Sequence, residues 1–221
     1  MTVIRQDDLI DSVADALQFI SYYHPVDFVQ AVHEAYEKEQ NPAAKDAMAQ
    51  ILINSRMCAE GHRPICQDTG IVTVFLKIGM NVQWDASMSV ADMINEGVRR
   101  AYTHADNVLR ASILEDPAGA RRNTKDNTPA VIHMEVVEGD TVDVQVAAKG
   151  GGSENKSKLV MLNPSDSIVD WVVKTVPTMG AGWCPPGMLG IGIGGTAEKA
   201  AVLAKEALMD PIDIHDLRER G

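Results

Sequence analysis

The chain has 221 residues, of which 45% are apolar and 23% are charged, and this composition is typical of a folded globular protein. The 20 Lys and Arg residues are outnumbered by 31 Asp and Glu residues, which gives a formal net charge of −11. A field of this sign repels nucleic acids and anionic membranes, so we expect neither as a partner. A local cluster of cations can still bind a small anion.

The sequence contains no run of 18 apolar residues, and its first residues lack the basic start and apolar stretch of a secretory signal. Its cysteines are Cys58, Cys66 and Cys184, a number too small and odd for a disulfide framework. We therefore expect a cytoplasmic protein whose thiols are available for metal binding or catalysis.

Amphipathic helices are predicted in the first sixty residues. Apolar residues recur with helical spacing in consecutive runs that begin at Asp7, Val26 and Ala43. The runs are separated by His24-Pro25 and Asn41-Pro42, since proline interrupts a helix. Residues 1–60 are therefore expected to form a helical lobe.

The pattern changes at Gly61, after which strands and helices alternate. Ile71–Ile78 is rich in β-branched residues and predicts a strand, and Ser87 or Ser89 is expected to cap a helix that ends at Tyr102. Residues 129–137 and 141–148 are expected to form a strand pair joined at Gly139-Asp140.

Further elements are expected towards the end of the chain: a helix over 164–176, a short strand over 188–194 and a helix over 197–209. Residues 149–157 are expected to be irregular because they contain three consecutive glycines. We therefore predict an α+β fold, in which residues 61–221 form an α/β part with a mixed sheet and packed helices.

Two cysteines lie in segments that suit a functional site. Cys66 is followed by Gln67 and Asp68 in a predicted loop, and polar neighbours suit a metal ligand better than a packed thiol. Cys184 precedes two prolines, which fix the backbone and remove N–H donors. For the Cys66 segment the alternative is a turn that holds a buried cysteine. For the Cys184 segment the alternative is a glycine-rich strand packed on a helix, which we favour for the glycines beyond residue 190.

The segment KGGGSENK at 149–156 is a candidate anion site. Consecutive glycines from Gly150 can turn their N–H groups towards an anion, and Ser153, Asn155 and Lys156 add a hydroxyl, an amide and a charge. The segment lacks the spacing of the nucleotide-binding P-loop. A carboxylate or a phosphate would suit it, and the alternative is a flexible connection.

A group of arginines lies in the middle of this acidic chain. Arginine binds carboxylates through two parallel hydrogen bonds, so one of these residues is a candidate for binding a dicarboxylate. Most of these charges are expected to be solvated at the surface, Arg99, Arg121 and Arg122 among them, and the choice among the others (Arg100, Arg110 and Lys125) stays open. The six histidines show no spacing typical of metal ligands.

These segments together resemble the class I fumarate hydratases, which are oxygen-sensitive iron–sulfur hydro-lyases. The matching stretches are ICQDTG at 65–70, RNTKDNTPAVIH at 122–133, AAKGGGSENKSKL at 147–159 and GWCPPGMLGIGIGGTAEKA at 182–200. The α subunits of L-tartrate dehydratases share this region, so the resemblance indicates the family more firmly than the substrate.

The resemblance implies a [4Fe–4S] cluster held by three cysteines, with one iron open to substrate. Cys66 and Cys184 match two of the ligand motifs. Cys58 does not match the third, which we expect beyond residue 221 because the family's sequences continue further. On this basis we expect the chain to be a truncated part of a longer enzyme, with little activity alone.

The resemblance also implies the reaction, which is the reversible hydration of fumarate to (S)-malate. It places Gln67 and Asp68 at the substrate as catalytic residues, with Asp68 in the proton-handling network. Arg110 and the backbone of Gly150 would bind a carboxylate, and Ser153, Asn155 and Lys156 would line the same anion site. The full-length enzyme is expected to be a homodimer.

Two other functions remain open from the sequence. One is the α subunit of a tartrate-type dehydratase, which a substrate panel would distinguish. The other is a non-catalytic anion-binding domain, in which the cysteines bind no iron.

Overall fold

A computed structural model of the chain describes residues 2–67, 69–184 and 186–220, apart from the side chain of Ile214. The chain divides into two compact units, called unit 1 (Met1–Lys149 with Pro211–Gly221) and unit 2 (Gly150–Asp210). The N-terminal helices belong to the same unit as the sheet. The domain boundary between residues 60 and 61 stays a prediction.

The helices lie mainly in the first and last parts of the chain, and most of the strands lie between them. The strands are β1 (Val3–Arg5), β2 (Ile71–Gly79), β3 (Gln83–Asp85), β4 (Leu114–Glu115), β5 (Arg122–Asn123), β6 (Val131–Val137) and β7 (Val142–Lys149). The helices are α1 (Gln6–Tyr22), α2 (Val26–Lys38), α3 (Pro42–Gly61), α4 (Val90–Tyr102), α5 (Gly151–Glu154), α6 (Ile168–Thr175), α7 (Ala197–Glu206) and α8 (Ile214–Arg220). The α+β class is confirmed.

Side-chain caps mark where α3 and α4 begin. The Asn41 side chain accepts a hydrogen bond from the N–H of Ala43 at 3.0 Å, at the start of α3. The Ser89 hydroxyl accepts one from the N–H of Asp92 at 3.1 Å, at the start of α4. Both bonds satisfy N–H groups that a helix leaves without partners in its first turn. Of the two serines expected to cap α4, Ser89 does so.

The main sheet has the strand order β6-β2-β7, with β2 parallel to β6 and antiparallel to β7. The expected pairing of residues 129–137 with 141–148 is therefore wrong, because β2 lies between them. The reason is burial: Val74 on one face of β2 and Thr73 on the other are both buried. A strand that is buried on both faces takes a central position, and the more polar β6 and β7 lie at the edges.

Helices α1 and α4 cover one face of this sheet and form the core of unit 1. Gly97 lets the helices approach closely, because a Cβ there would lie 2.7 Å from the Ile10 carbonyl oxygen. Full burial of each aliphatic side chain contributes about 1.5–3 kcal/mol. The core residues are Leu9, Ile10, Val13, Leu17, Val72, Val74, Leu76, Met93, Ile94, Val98, Ala101, Tyr102 and Leu109.

Unit 2 contains α5, α6 and α7, and none of its described residues is fully buried. Residues 149–157 are not wholly irregular as expected, since α5 forms one helical turn there. Helix α6 begins after its cap Ser167 rather than at residue 164, because the Ser167 hydroxyl accepts from the N–H of Asp170. Helix α7 covers most of the expected 197–209 helix.

The glycine-rich segment 188–194 does not form the expected strand. It packs on α7, because a Cβ at Gly190 or Gly192 would lie 2.0 Å from a carbonyl oxygen of that helix. The packing on a helix was therefore predicted, while the strand was not found. A strand needs a neighbouring strand to pair with, and this backbone lies against a helix instead.

Among the described residues, no helix is both long enough and apolar enough to span a bilayer.

We predict that His24 makes the stability of unit 1 depend on pH. Its ring contacts the Ser55 hydroxyl at 3.0 Å and the Phe28 ring, and burial lowers the pKa of His24. The unfolded chain therefore binds the proton more readily than the folded chain. The contribution of neutral His24 to the stability of unit 1 is full above about pH 6.5, and it is lost as the pH falls below this value. Thermal unfolding between pH 7.5 and 5.5 measures this loss, and His24→Gln should reduce it. His215→Gln, at an exposed position of α8, is the matched control and should leave it unchanged.

Candidate functional site

The loop that carries Cys66 begins at a residue anchored to two helices. The N–H of Ile65 donates to the Ser21 carbonyl at 2.8 Å, and the Asn54 amide donates to the Ile65 carbonyl at 3.0 Å. Cys66 and Gln67 follow this anchor directly and are exposed. The predicted site residue Asp68 lies outside the described residues.

The loop is also fixed where it enters β2. The Tyr102 hydroxyl donates to the Thr69 carbonyl at 2.9 Å, and the Asn127 amide donates to the Gly70 carbonyl at 3.0 Å. Gly70 has φ +84°, and a Cβ at this position would lie 2.7 Å from the Lys149 backbone nitrogen. Only glycine fits this conformation and this close approach. The two anchored ends therefore hold Cys66 and Gln67 in a short, constrained segment.

Arg110 is joined to the same loop through its backbone. The Thr69 hydroxyl donates to the Arg110 carbonyl at 2.6 Å. The Arg110 side chain is exposed, and among the described residues no carboxylate forms an ion pair with it. A guanidinium that pairs with no described carboxylate is a suitable binding group for a small carboxylate.

Arg99 is exposed, as expected for a surface charge, but it also forms ion pairs. It forms ion pairs with Glu96 and with Asp126, and the second pair joins α4 to the segment before β6. Burial alone would raise the pKa of Asp126, but hydrogen bonds from Thr128 and Arg99 outweigh it and hold this pKa below its usual value. Arg99 therefore stabilises the structure around the site rather than remaining available for a ligand.

The other two motifs come together within unit 2. Gly150 is the N-cap residue of α5, and the Ser153 hydroxyl donates to its carbonyl at 3.0 Å. A Cβ at Gly152 would lie 2.5 Å from the Gly182 carbonyl oxygen, and one at Gly182 would lie 3.1 Å from Cε of Lys156. The KGGGSENK segment therefore packs directly against the segment that leads to Cys184.

Cys184 is exposed and has φ +59°, an unusual backbone conformation for a residue other than glycine. Its N–H donates to the Ala181 carbonyl at 3.0 Å, which closes a turn. An ion pair between Glu154 and Lys205 joins α5 to α7 in the same unit. The turn therefore presents the Cys184 thiol on a supported segment.

Cys58 has a different environment from the other two cysteines. It is buried on α3, and its Sγ lies 3.7 Å from the Asn54 side-chain oxygen and 3.7 Å from the Pro64 carbonyl. Among the described residues, no group of three His, Cys, Asp or Glu side chains is placed to hold a metal ion. The exposed thiols of Cys66 and Cys184 are suitable donors for iron, but the described residues do not assemble a complete ligand set.

The predicted site residues are divided between the two units. Unit 1 carries Cys66, Gln67 and Arg110, and unit 2 carries Gly150, Ser153, Asn155, Lys156 and Cys184. Sequence reasoning missed the residues that fix the Cys66 loop, namely Asn54, Thr69, Tyr102 and Asn127. The available signal for Asn127 was the turn-forming DNTP stretch, but its side-chain contacts involve residues far away in the sequence.

We predict that Gly152→Ala disturbs Cys184 and that Gly151→Ala does not. The added methyl group at residue 152 would meet the Gly182 carbonyl, so the Cys184 segment must shift, whereas a Cβ at Gly151 has no atom within 4 Å. The rate of Cys184 alkylation by iodoacetamide, read by mass spectrometry, should change in the first variant only. Equal rates in both variants would contradict the packing of these two segments.

Comparison with known proteins agrees with this arrangement of motifs. The model of the family described as "Fumarate hydratase (Fumerase)" matches residues 10–220. A putative L(+)-tartrate dehydratase subunit alpha from Methanocaldococcus jannaschii is 38% identical over 210 residues, covering 91% of this chain and 72% of that protein. The L(+)-tartrate dehydratase subunits alpha of Escherichia coli UTI89 and Shigella sonnei are 28% and 27% identical, covering 92% of this chain and 68% of each. The chain belongs to the fumarate hydratase (Fumerase) family.

Proposed function

We propose that the chain is a hydro-lyase that adds water reversibly to fumarate and forms (S)-malate. The hydroxyl group bonds to one carbon of the double bond, and a proton bonds to the other. The observation that carries this proposal is the anchored Cys66–Gly70 loop, which presents a thiol and an amide to solvent and is bonded to the backbone of Arg110. The family match agrees with it.

We propose an iron–sulfur cluster of the [4Fe–4S] type as the cofactor, with Cys66 and Cys184 as two of its thiolate ligands. Bound iron with an open position would supply Lewis-acid chemistry at a substrate oxygen. The third ligand is not among the described residues. Cys58 is not proposed for this role, because it is buried and directed towards the Pro64 carbonyl.

The chain's own residues would bind and orient the dicarboxylate. The Arg110 guanidinium matches a carboxylate in shape and charge, and the Gln67 amide can donate a hydrogen bond to a substrate oxygen. Asp68 is proposed to hold or move the proton. Correct orientation of the reacting groups lowers the barrier by converting a bimolecular step into an effectively unimolecular one.

The second group of binding residues lies in the KGGGSENK segment. Its donors are the Gly150 backbone, the Ser153 hydroxyl, the Asn155 amide and the Lys156 ammonium group. Three of these groups can donate hydrogen bonds to a carboxylate oxygen, and the Ser153 hydroxyl can do so once it rotates away from the Gly150 carbonyl. Lys156 adds a positive charge that favours an anionic substrate in a protein with a net charge of −11.

A second candidate is the removal of water from L-tartrate, because the curated relatives described above carry that name. L-Tartrate is malate with a second hydroxyl group, so the same carboxylate-binding residues would serve both substrates.

The curated relatives are named as α subunits. Unit 2 of this chain exposes apolar residues that include Val169 and Val173. A second polypeptide would cover such residues in the tartrate case, and a homodimer is proposed in the fumarate case. A cytoplasmic location is proposed for either.

We predict that Cys66→Ser and Cys184→Ser each lose most of the bound iron, whereas Cys58→Ala retains it. Serine removes a thiolate ligand, while Cys58 is buried and lies away from solvent. Iron and acid-labile sulfide per chain are measured in the native assembly purified without oxygen, and fumarate hydration is assayed in the same samples. Full iron content in a Ser variant would refute that ligand. A wild-type protein without iron or turnover would indicate an anion-binding domain instead.

We predict that Arg110→Ala raises KM for the preferred substrate by about tenfold or more, since a charged hydrogen bond contributes roughly 1.5–3 kcal/mol. Arg121→Ala is the matched control, because it removes another exposed arginine from the neighbouring loop. Steady-state kinetics with fumarate, (S)-malate and L-tartrate measure both the effect and the substrate preference. Unchanged kinetics in Arg110→Ala would exclude the proposed binding role.

A further inference from the structure

Asn127 is the most deeply buried polar residue near the Cys66 loop. Its exposed fraction is 0%, and its backbone has φ +61°. Asparagine tolerates this left-handed conformation better than most residues. A buried amide must have hydrogen-bond partners, so its contacts report what the surrounding structure requires.

The Asn127 side chain joins two segments that carry predicted site residues. Its Oδ1 accepts hydrogen bonds from the N–H groups of Ser112 at 2.7 Å and Ile113 at 3.3 Å. Its Nδ2 donates to the Gly70 carbonyl at 3.0 Å. One amide group therefore links the end of the Cys66 loop to the backbone that follows Arg110.

Contacts on both sides of Asn127 hold its backbone in place. Asp126 pairs with Arg99 of α4 at 3.0 Å, and the N–H of Ala130 donates to the Asn95 side chain of α4 at 2.9 Å. The Asn127 amide is therefore presented from a backbone that is fixed to the core helix.

We propose that Asn127 is a positioning residue, which sets the place of the Arg110 guanidinium relative to Cys66 and Gln67. It acts through the backbone, together with the bond from the Thr69 hydroxyl to the Arg110 carbonyl. This inference rests on the proposed function, in which Arg110 binds a substrate carboxylate beside the Cys66 loop.

The chemistry of the amide indicates the variant to use. Aspartate has the same shape and keeps an oxygen for the Ser112 and Ile113 N–H groups. It lacks the Nδ2 donor, so a carboxylate oxygen would face the Gly70 carbonyl and the two would repel. Asn127→Asp therefore breaks the link to the Cys66 loop while keeping the link to the Arg110 segment.

The test compares Asn127→Asp with Asn95→Asp, the matched amide-to-acid change on α4, which keeps the acceptor that Ala130 uses. Kinetics are measured on the native assembly with fumarate and L-tartrate, together with iron content and the midpoint of thermal unfolding. In Asn127→Asp, KM should rise by about tenfold while kcat and iron per chain stay within twofold, because a displaced Arg110 guanidinium binds the substrate carboxylate more weakly, and tenfold corresponds to about 1.4 kcal/mol. Asn95→Asp should behave as wild type.

A second pair of variants keeps the test decisive if Asn127→Asp does not fold. Thr69→Val removes the hydrogen bond to the Arg110 carbonyl and should raise KM in the same way. Thr69→Ser keeps the hydroxyl, so its KM should equal that of the wild type. Unchanged KM in folded Asn127→Asp or Thr69→Val would overturn the inference, as would losses of kcat and iron without a change in KM. A wild-type assembly that transforms neither substrate would instead refute the proposed function.

Discussion

The burial of β2 on both faces is the constraint on which the rest of unit 1 depends. Val72, Val74 and Leu76 face α1 and α4, while Thr73 and Phe75 are buried on the opposite side. Such a strand lowers the free energy most when it has a neighbour at each edge. Because β2 is parallel to β6 and antiparallel to β7, the starts of β2 and β6 and the end of β7 lie at one end of the sheet.

This single end of the sheet gathers the predicted site segments of unit 1. Gly70, before β2, approaches the backbone of Lys149 at the end of β7, and Asn127, before β6, bonds to the Gly70 carbonyl. Thr69 adds the bond to Arg110. Loops carry functional groups most accurately when a rigid scaffold fixes their ends, and here hydrogen bonds do so, of which the one from Asn127 to Gly70 is buried and the one from Thr69 to Arg110 is exposed.

Unit 2 differs from unit 1 in how its segments pack. Its described residues include no fully buried side chain, and at Gly152, Gly190 and Gly192 the neighbouring backbone leaves no room for a Cβ. Large side chains such as Met161, Val169 and Val173 stay exposed, whereas a stable monomer exposes few contiguous apolar residues. The proposed association with a second polypeptide would bury this surface.

The sequence by itself determined the features that depend on neighbours a few residues away. Helices α1 to α4 followed from apolar spacing, from the proline breaks and from caps such as Ser89, and the family followed from motifs that need no geometry. Only the tertiary structure decided that β2 separates β6 from β7 and that residues 188–194 lie against a helix. It also decided the partners of Asn127, which lie 57 and 15 positions away at Gly70 and Ser112. Such contacts depend on which surfaces the whole chain can bury together, and local residue patterns do not encode that choice.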